Sequence, residues 1–437
     1  MVVNQLNSDV NERSKWTKLD CKDLALGMFV IELDRPWQDT PFPVNGFHLY
    51  KFDQIQSLRV LCNYVYIDTF RGAGHRKNKA ENLTILSSAR KRAPESTDLN
   101  VNNEVYPRTK TVKQEIDKAA HLYIQLNNKL NDAIKNVRDH SPLNIKGLHK
   151  VAGETIDCVI RNPDAFIWVL NINKQGNCIL TQSIRASIWA TIFACHVGFA
   201  RNDIEALFMG TFLADIGMAK FPPEFVTKSG PFTRKEYLTY RRHVRIGVDI
   251  LGAEESIDPR VVSIIRAHHE RHDGLGFPGK QCGDQIPRLA RVANLAYSYE
   301  RLLKRSSAND QSPASAISRL YKQRKLKFAE QLVFEFIKAL GMFPAGSVVE
   351  LENGSIGIVT EQNPNQRLTP KIVVITTSRK QRLKKFLPIN QDARKIQRTT
   401  KLISRSLRRG SYKTDPAELT PRLFGKRIGL GKLGMRI

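Results

Sequence analysis

The spacing of apolar residues changes along the 437-residue chain, and each change predicts a different kind of element. Short β-type runs (MFVIEL, FHLYKF and NYVYID) are separated by turn-forming clusters and predict a small β-rich N-terminal domain. From Val112 the apolar residues follow helical spacing, with Ile116, Ala120 and Tyr123 on one face. Helical patterns continue to about Leu340, so we expect a mainly α protein.

The C-terminal part of the chain returns to β patterns. Two β-type runs flank Asn353-Gly354, a pair typical of hairpin turns, and PKIVVIT predicts a third strand. The predicted organisation is a β-rich domain over 15–72, a polar linker over 73–110, a helical domain over 111–342, a short β segment over 343–378 and a basic tail over 379–437.

Composition narrows the class of protein. Apolar residues make up 41% of the chain, enough for a substantial core, and no apolar run is long enough to span a membrane. The N-terminal residues lack the basic and apolar regions of a secretion signal. Six cysteines without CxxC spacing indicate reduced thiols instead of a disulfide framework or a zinc site. We therefore expect a cytoplasmic protein.

The net charge of +27 favours anionic partners. More than half of this excess positive charge lies in the predicted tail, which contains eighteen Lys and Arg residues and three acidic residues. The tail is more typical of a solvated extension than of a nucleic-acid site, because only Phe386, Tyr412 and Phe424 interleave aromatic rings with the charge.

Two short stretches carry the candidate chemistry. In FLADIGMAKFPPEF, Asp215 follows an apolar helical run, and an unpaired carboxylate in such a place is costly. His243 lies on a second helical pattern, and RAHHERHDGLGFPG places His268 and His269 at the end of a third. Imidazole and carboxylate groups held by three helices suit a first-row transition metal, whereas a lone histidine is more often a hydrogen-bonded core residue. The adjacent histidines His268 and His269 favour a metal site over hydrogen-bonded core residues.

The glycine-rich loop after the histidine pair has two interpretations. Gly274, Gly276, Phe277 and Pro278 could let backbone N–H groups approach a phosphate, or could form a tight turn. Two nearby acids, Glu270 and Asp273, could either orient a histidine or cap the turn that begins at Gly274, and capping is the better interpretation for Asp273.

The motifs HHERHDGLGFPG, ADIGMAKFP and NPDAF together resemble the HD-GYP family of cyclic dinucleotide phosphodiesterases. The likeness extends to the C-terminal β segment, and the N-terminal region resembles a domain of unknown function often placed ahead of this family. The resemblance implies an HD-type helical bundle that holds two or three metals, commonly iron. These metals activate a hydroxide that attacks cyclic di-GMP or cyclic GMP-AMP.

The resemblance also implies that half of the metal centre is lost. Asp215, His243, His268 and His269 match one complete ligand set, with Asp215 normally bridging to the other metal. Three family ligand positions and the family lysine do not match. These are Gln182, Ala214 and Tyr297 for the ligands and Met218 for the lysine.

The lost positions look mutually compensating. Ala214 leaves room where a ligand would stand, and Tyr297 is large enough to fill it. The resemblance therefore predicts either one divalent transition metal, iron or manganese, or none.

Three hypotheses follow, in order of preference. The first is a degenerate, catalytically impaired HD-GYP protein that acts by binding a cyclic dinucleotide or signalling proteins such as diguanylate cyclases. The second is an active phosphodiesterase of cyclic di-GMP or cyclic GMP-AMP with a reduced metal site. The third, a nucleic-acid regulator that uses the basic tail, is well behind.

Overall fold

The computed structural model describes residues 16–34, 47–49, 52–68, 104–173, 179–228, 230–304, 312–363, 370–389 and 403–425. The chain divides into two compact units, residues 1–96 and 97–437. Among the described helices, none has the length and apolarity needed to cross a membrane.

The N-terminal unit is built on a four-stranded sheet ordered β1-β4-β2-β3. Its elements are β1 Trp16–Asp20, β2 Phe29–Leu33, β3 Phe47–His48, helix α1 Phe52–Leu61 and β4 Tyr64–Asp68. Val65 and Ile67 alternate with outward residues along β4 and enter the core with Val30. Among the described residues of the predicted strand FHLYKF, Phe47 and His48 are β. A helix begins at Phe52, where Ile55 and Leu58 are buried at helical spacing.

The second unit is mainly helical, as predicted. Its helices are α2 Val112–Arg138, α3 Ile145–Arg161, α4 Pro163–Ile172, α5 Ile179–Val197, α6 Arg201–Phe212, α7 Pro223–Val226, α8 Arg234–Gly252, α9 Pro259–Ala267, α10 Arg288–Lys304, α11 Pro313–Lys322 and α12 Glu330–Leu340. Capping boxes fix two helix starts, at Thr111 with Gln114 and at Thr233 with Glu236. Helix α6 is buried along most of its length, so its C-terminal end delivers the next residues into the interior.

The polar linker predicted over 73–110 is described only from residue 104. Its end is attached to the helical unit, because Arg108 Nη1 donates to Asp164 Oδ2 at 2.6 Å and to the carbonyl oxygen of Gln362 at 3.1 Å. The last residues of the linker are therefore held in place, which their polar composition did not indicate.

The C-terminal sheet is larger than predicted. The hairpin at Asn353-Gly354 is confirmed, and the five strands are ordered β8-β7-β6-β5-β9. They are β5 Val348–Leu351, β6 Ile356–Glu361, β7 Lys371–Thr376, β8 Arg382–Ile389 and β9 Ile403–Leu407, followed by helix α13 Pro416–Phe424.

The prediction that residues 379–437 form only a basic tail is therefore wrong for the described part. Two strands and a helix lie there, and Phe424 packs edge-on against Trp168, with ring centres 5.0 Å apart. The basic residues remain compatible with this packing because they project outward or pair with acids, as Lys380 and Arg405 do with Glu350.

Candidate metal and nucleotide site

Three segments of the helical unit bring the four predicted ligands together. Asp215 lies in the turn after α6, His243 lies in α8, and His268 and His269 follow α9. The turn approaches α8 closely because residue 217 is glycine. A Cβ on Gly217 would lie 2.1 Å from the carbonyl oxygen of His243, so a larger residue would push Asp215 away from the histidines.

The ligand atoms of these four residues all lie within 4.8 Å of one another. His243 Nε2 is 3.3 Å from Asp215 Oδ1 and 3.4 Å from His268 Nε2. Atoms that bind one transition metal at about 2.1 Å lie about 3.0–3.4 Å apart in octahedral or tetrahedral geometry. The separations therefore suit a single shared ion.

Backbone carbonyls fix the proton positions on two of the histidines. His243 Nδ1 lies 2.5 Å from the carbonyl oxygen of Tyr240, and His268 Nδ1 lies 2.7 Å from that of Ile265. Since a carbonyl only accepts, both Nδ1 atoms donate and both Nε2 atoms carry lone pairs. These lone pairs face each other and Asp215 Oδ1, a buried oxygen with no hydrogen-bond donor among the described residues. The donor set fits a divalent cation that all three atoms could coordinate.

Burial sets the protonation of the cluster. Loss of water lowers the pKa of His243 to about 3, with His268 adding to the shift, and lowers the pKa of His268 to about 4. The same cause lowers the pKa of His269 well below its usual value. Burial raises the pKa of Asp215 to about 7 because its charged form loses hydration. The imidazoles are therefore neutral, as metal ligands must be, whereas Asp215 must release its proton when a cation binds.

The other oxygen of Asp215 is engaged by the protein itself. The phenol of Tyr297 donates to Asp215 Oδ2, and Ser183 Oγ lies 3.4 Å from the same oxygen. The two hydroxyl oxygens are 2.8 Å apart. Tyr297 also packs against Ala214 and Ala186 in a small buried apolar cluster. Tyr297 and the two alanines thus lie together beside Asp215.

The remaining positions singled out by the resemblance lie around this cluster. Gln182 is partly buried in α5, next to Ser183. Met218 is fully buried in the 3-10 turn after Asp215. Lys220 is exposed, and its Nζ lies 3.3 Å from Nε2 of His140. Its ammonium group therefore does not occupy the position of the buried Met218 side chain.

The glycine-rich loop is organised as a turn. The N–H groups of Gly274 and Phe277 donate to the carbonyl oxygens of Arg271, at 2.9 Å, and His269, at 3.3 Å. Pro278 has no N–H to donate. A Cβ on Gly276 would lie 2.5 Å from the Cα of Glu270, so glycine is required for this close approach. The tight-turn interpretation is therefore favoured over a backbone phosphate cradle.

The acids beside this loop cap it. The Glu270 carboxylate accepts from the N–H groups of Gly279, at 2.5 Å, and Gln281, at 3.1 Å. Asp273 accepts from the Leu275 N–H at 3.1 Å. Neither acid orients a histidine through any of these bonds, so the capping alternative fits both.

Aromatic and basic side chains on α8 border the histidines, and the sequence analysis missed them. The Tyr240 hydroxyl lies 3.0 Å from His269 Nε2, and Phe277 stacks on the His269 ring with centres 4.5 Å apart. Tyr237, one helical turn before Tyr240, meets Phe277 edge-on at 6.1 Å. The Arg241 guanidinium lies 4.9 Å from the Phe277 ring centre. The spacing of Tyr240 from His243 was the available signal, since a residue three positions before another lies on the same side of a helix.

Comparisons with known proteins agree with this architecture. Residues 16–148 match a family profile described as "Domain of unknown function (DUF3391)", and residues 169–332 match an HD-domain profile. A cyclic di-GMP phosphodiesterase of Pseudomonas aeruginosa is 26% identical over 365 residues, which cover 83% of this chain and 86% of the relative. 

Shorter matches are found with two further curated proteins. The cyclic di-GMP phosphodiesterase response regulator RpfG of Xanthomonas campestris is 30% identical over 34% of this chain and 40% of its own length. A 3'3'-cGAMP-specific phosphodiesterase of Vibrio cholerae is 28% identical over 34% of this chain and 29% of its own length. Among solved structures, an HD-GYP-type protein of Bdellovibrio bacteriovorus aligns with a TM-score of 0.45 and 15% identity, covering 74% of this chain and 99% of that one.

The two profiles match in the same order as the two units, and the Pseudomonas relative spans most of both. The HD profile includes all four residues of the histidine–aspartate cluster. The chain thus carries a DUF3391 region followed by an HD domain, and together these comparisons support the HD-GYP family.

Proposed function

We propose that this chain is a degenerate HD-GYP protein that binds a cyclic dinucleotide and acts through binding instead of turnover. The observation that carries the proposal is the hydrogen bonding of Asp215 Oδ2 by Tyr297 and Ser183. In the family this carboxylate is expected to bridge two metals. Here Oδ1 lies 3.3 Å from His243 Nε2 and the other oxygen faces two hydroxyl groups, which leaves room for one ion at most.

The residues of this chain define what a single ion could do. The Nδ1 bonds to backbone carbonyls hold the rings of His243 and His268 with Nε2 inward. Tyr297 and Ser183 hold Asp215 with Oδ1 toward the same point. A bound divalent metal would supply a Lewis acid for a phosphoryl oxygen. Imidazole with carboxylate suits iron or manganese, which we propose as the ion.

The positions that differ from the family pattern support impaired turnover. Removal of one electrostatic stabiliser of a transition state lowers a rate by about 10²–10³. Tyr297 packs against Ala214 and Met218 is buried, which supports the proposal that the second metal position is closed and the family lysine is lost. Several stabilisers are affected together, so hydrolysis should be negligible.

Cyclic dinucleotide binding is proposed from the activities named for the relatives, and the surroundings of the cluster support it. Tyr237 is 44% exposed and offers a ring for base stacking. Arg241 has no carboxylate within ion-pair distance in the described part of the chain, so its guanidinium can pair with a phosphate. An aromatic ring and a guanidinium group beside the histidines match the two parts of a nucleotide, its base and its phosphate.

A second candidate function is an active phosphodiesterase that uses a single ion. The observation that favours it is the completeness of the remaining ligand set, whose four donor atoms lie within 4.8 Å of one another. It predicts that hydrolysis and metal content are lost together, whereas the first proposal predicts nucleotide binding without comparable hydrolysis.

The test combines elemental analysis with binding and hydrolysis assays using cyclic di-GMP and cyclic GMP-AMP. We expect at most one metal equivalent per chain, loss of that metal in a His268→Ala, His269→Ala double variant, and no loss in the control His121→Ala, whose ring is exposed. Hydrolysis at the rate of an intact family member would overturn the first proposal. Protein isolated without stoichiometric metal would count against the second.

A binding role also needs a partner that responds to the bound nucleotide. We keep the prediction of a signalling protein such as a diguanylate cyclase. Pull-down with and without cyclic di-GMP tests it, and a nucleotide-independent interaction would contradict it.

A further inference from the structure

The outer face of the N-terminal sheet forms a cavity lined by aromatic and acidic side chains. Its volume is about 320 Å³, and it is bordered by residues of three strands and the turn after β2. The lining residues are Trp16, Glu32, Leu33, Asp34, Tyr64 and Tyr66. Along β4 the tyrosines alternate with the buried Val65 and Ile67, so the rings project from the face opposite the core.

The register of the strands gathers these side chains in rows. Tyr66 lies opposite Lys18 of β1 and opposite Glu32 of β2. Asp34 is held at the rim because its Oδ2 accepts a hydrogen bond of 2.7 Å from the Asn63 N–H. The cavity is therefore built from positioned groups rather than from mobile surface side chains.

The charge of this face is opposite to that of the chain. Glu32 and Asp34 line the cavity, and Glu32 has no ion-pair partner within the described residues. The described strands of this sheet contain one lysine, Lys18, whereas the whole chain carries a net charge of +27. A negative, aromatic cavity on a strongly basic protein excludes a phosphate ligand and favours a cation.

One interaction within the face already has this chemistry. Lys18 Nζ lies 3.5 Å from the ring centre of Tyr64. A cation over an aromatic ring is attracted by the negative face of the π system, and several rings with a nearby carboxylate form a cage for ammonium or guanidinium groups. Lys18 thus occupies one ring that an incoming cation would use.

From this arrangement we propose that the cavity binds a lysine or arginine side chain of a partner protein. The site is separate from the nucleotide site proposed above, because all of its residues lie in the N-terminal unit. The proposal does not depend on whether the histidine cluster binds metal or nucleotide.

The experiment measures binding of a fluorescently labelled hexa-arginine peptide to the full chain by anisotropy, with an uncharged hexa-glutamine peptide as the negative probe. Glu32→Gln and Trp16→Leu should each weaken binding about tenfold, as expected for loss of a charge or a cation–π contact. Lys18→Met should tighten binding several-fold because it releases the Tyr64 ring and removes a competing charge.

Matched controls remove the same charges elsewhere in the same unit. Asp23→Asn and Lys22→Met change exposed residues of the turn after β1, outside the cavity. Circular dichroism checks the fold of each variant. If Trp16→Leu fails to fold, Glu32→Gln and Lys18→Met still test whether the cavity binds the peptide. Equal effects of the cavity and control variants, or no peptide binding, would overturn the proposal. So would sedimentation showing self-association that Glu32→Gln abolishes, because a second copy would then occupy the face.

Discussion

Restoration of the second metal position is the most direct test of how Tyr297 and Ala214 affect the site. The triple variant Gln182→His, Ala214→His, Tyr297→Asp places histidine or carboxylate at the three positions where the family pattern expects ligands. Tyr297 donates to Asp215 Oδ2 and packs against Ala214, and Gln182 precedes Ser183, whose hydroxyl lies 3.4 Å from the same oxygen. We expect the variant to bind a second metal equivalent.

The magnitudes follow from the packing. Ala214 is fully buried and contacts Tyr297, so Ala214→His alone should overpack the site and cost about 1–3 kcal/mol. Tyr297→Asp removes the ring but sets a second carboxylate near Asp215, which is unfavourable without a cation between them. The triple variant should therefore be less stable than the natural chain when metal-free. It should recover about 4 kcal/mol when metal is present at a thousand times its dissociation constant.

The assay is elemental analysis with cyclic di-GMP hydrolysis, both measured on the triple variant, on Ala214→His alone and on the natural sequence. Hydrolysis should rise by at least about 10²-fold in the triple variant, because one lost electrostatic stabiliser is worth that much. Ala214→His alone should gain neither metal nor activity. A folded triple variant that still binds one ion or none would refute the view that Tyr297 and Ala214 close a latent site.

Three further predictions concern stability and the remaining metal position. Tyr297→Phe removes a donor from a buried carboxylate and should cost about 1–3 kcal/mol of unfolding free energy by urea titration, with weaker metal binding; unchanged values would contradict the assigned contact. Phe424→Ala, which empties a buried position against Trp168, should cost about 3–4 kcal/mol, whereas a midpoint equal to that of the unmodified chain would mean that α13 does not pack there. Glu115→Gln should cost about 2 kcal/mol at pH 7 because the buried carboxylate pairs with Arg161. Burial raises the pKa of Glu115, but hydrogen bonds, first among them the one from Arg161, bring this pKa below 4.5. The difference in unfolding free energy between Glu115→Gln and the unmodified chain should therefore narrow, and not widen, as the pH falls below 4.5.

The ligand set could be predicted from sequence because each ligand sits at the end of, or within, an apolar helical pattern. Periodicity places Asp215, His243 and His268 on inward faces. Three buried polar groups in one bundle must either contact one another or each have another hydrogen-bond partner. The same argument could not show that Tyr297 bonds to Asp215, since the two are 82 residues apart and only tertiary packing joins them.

Two other features were hidden for different reasons. The C-terminal strands and α13 could not be predicted because basic residues dominate the composition of this segment. Its packing depends on a few buried residues, among them Leu419 and Phe424. In the glycine-rich loop, the sequence left a phosphate cradle and a turn equally open. Glu270 decides between them by folding back onto the N–H groups of Gly279 and Gln281, which no local pattern predicts.

The two oxygens of Asp215 have different surroundings, which explains our proposal that one metal position is kept while the other is closed. A buried carboxylate without a cation or donors favours its neutral form, which cannot serve as a ligand. The hydroxyls of Tyr297 and Ser183 stabilise the charged form from the Oδ2 side, as a metal would have done, without supplying a Lewis acid. Oδ1 therefore stays available to an ion shared with the imidazoles of His243 and His268. We therefore propose that metal binding and phosphodiester turnover are separable in this chain, because binding of a single ion would need only a charged Asp215, whereas turnover in the family is expected to use two ions.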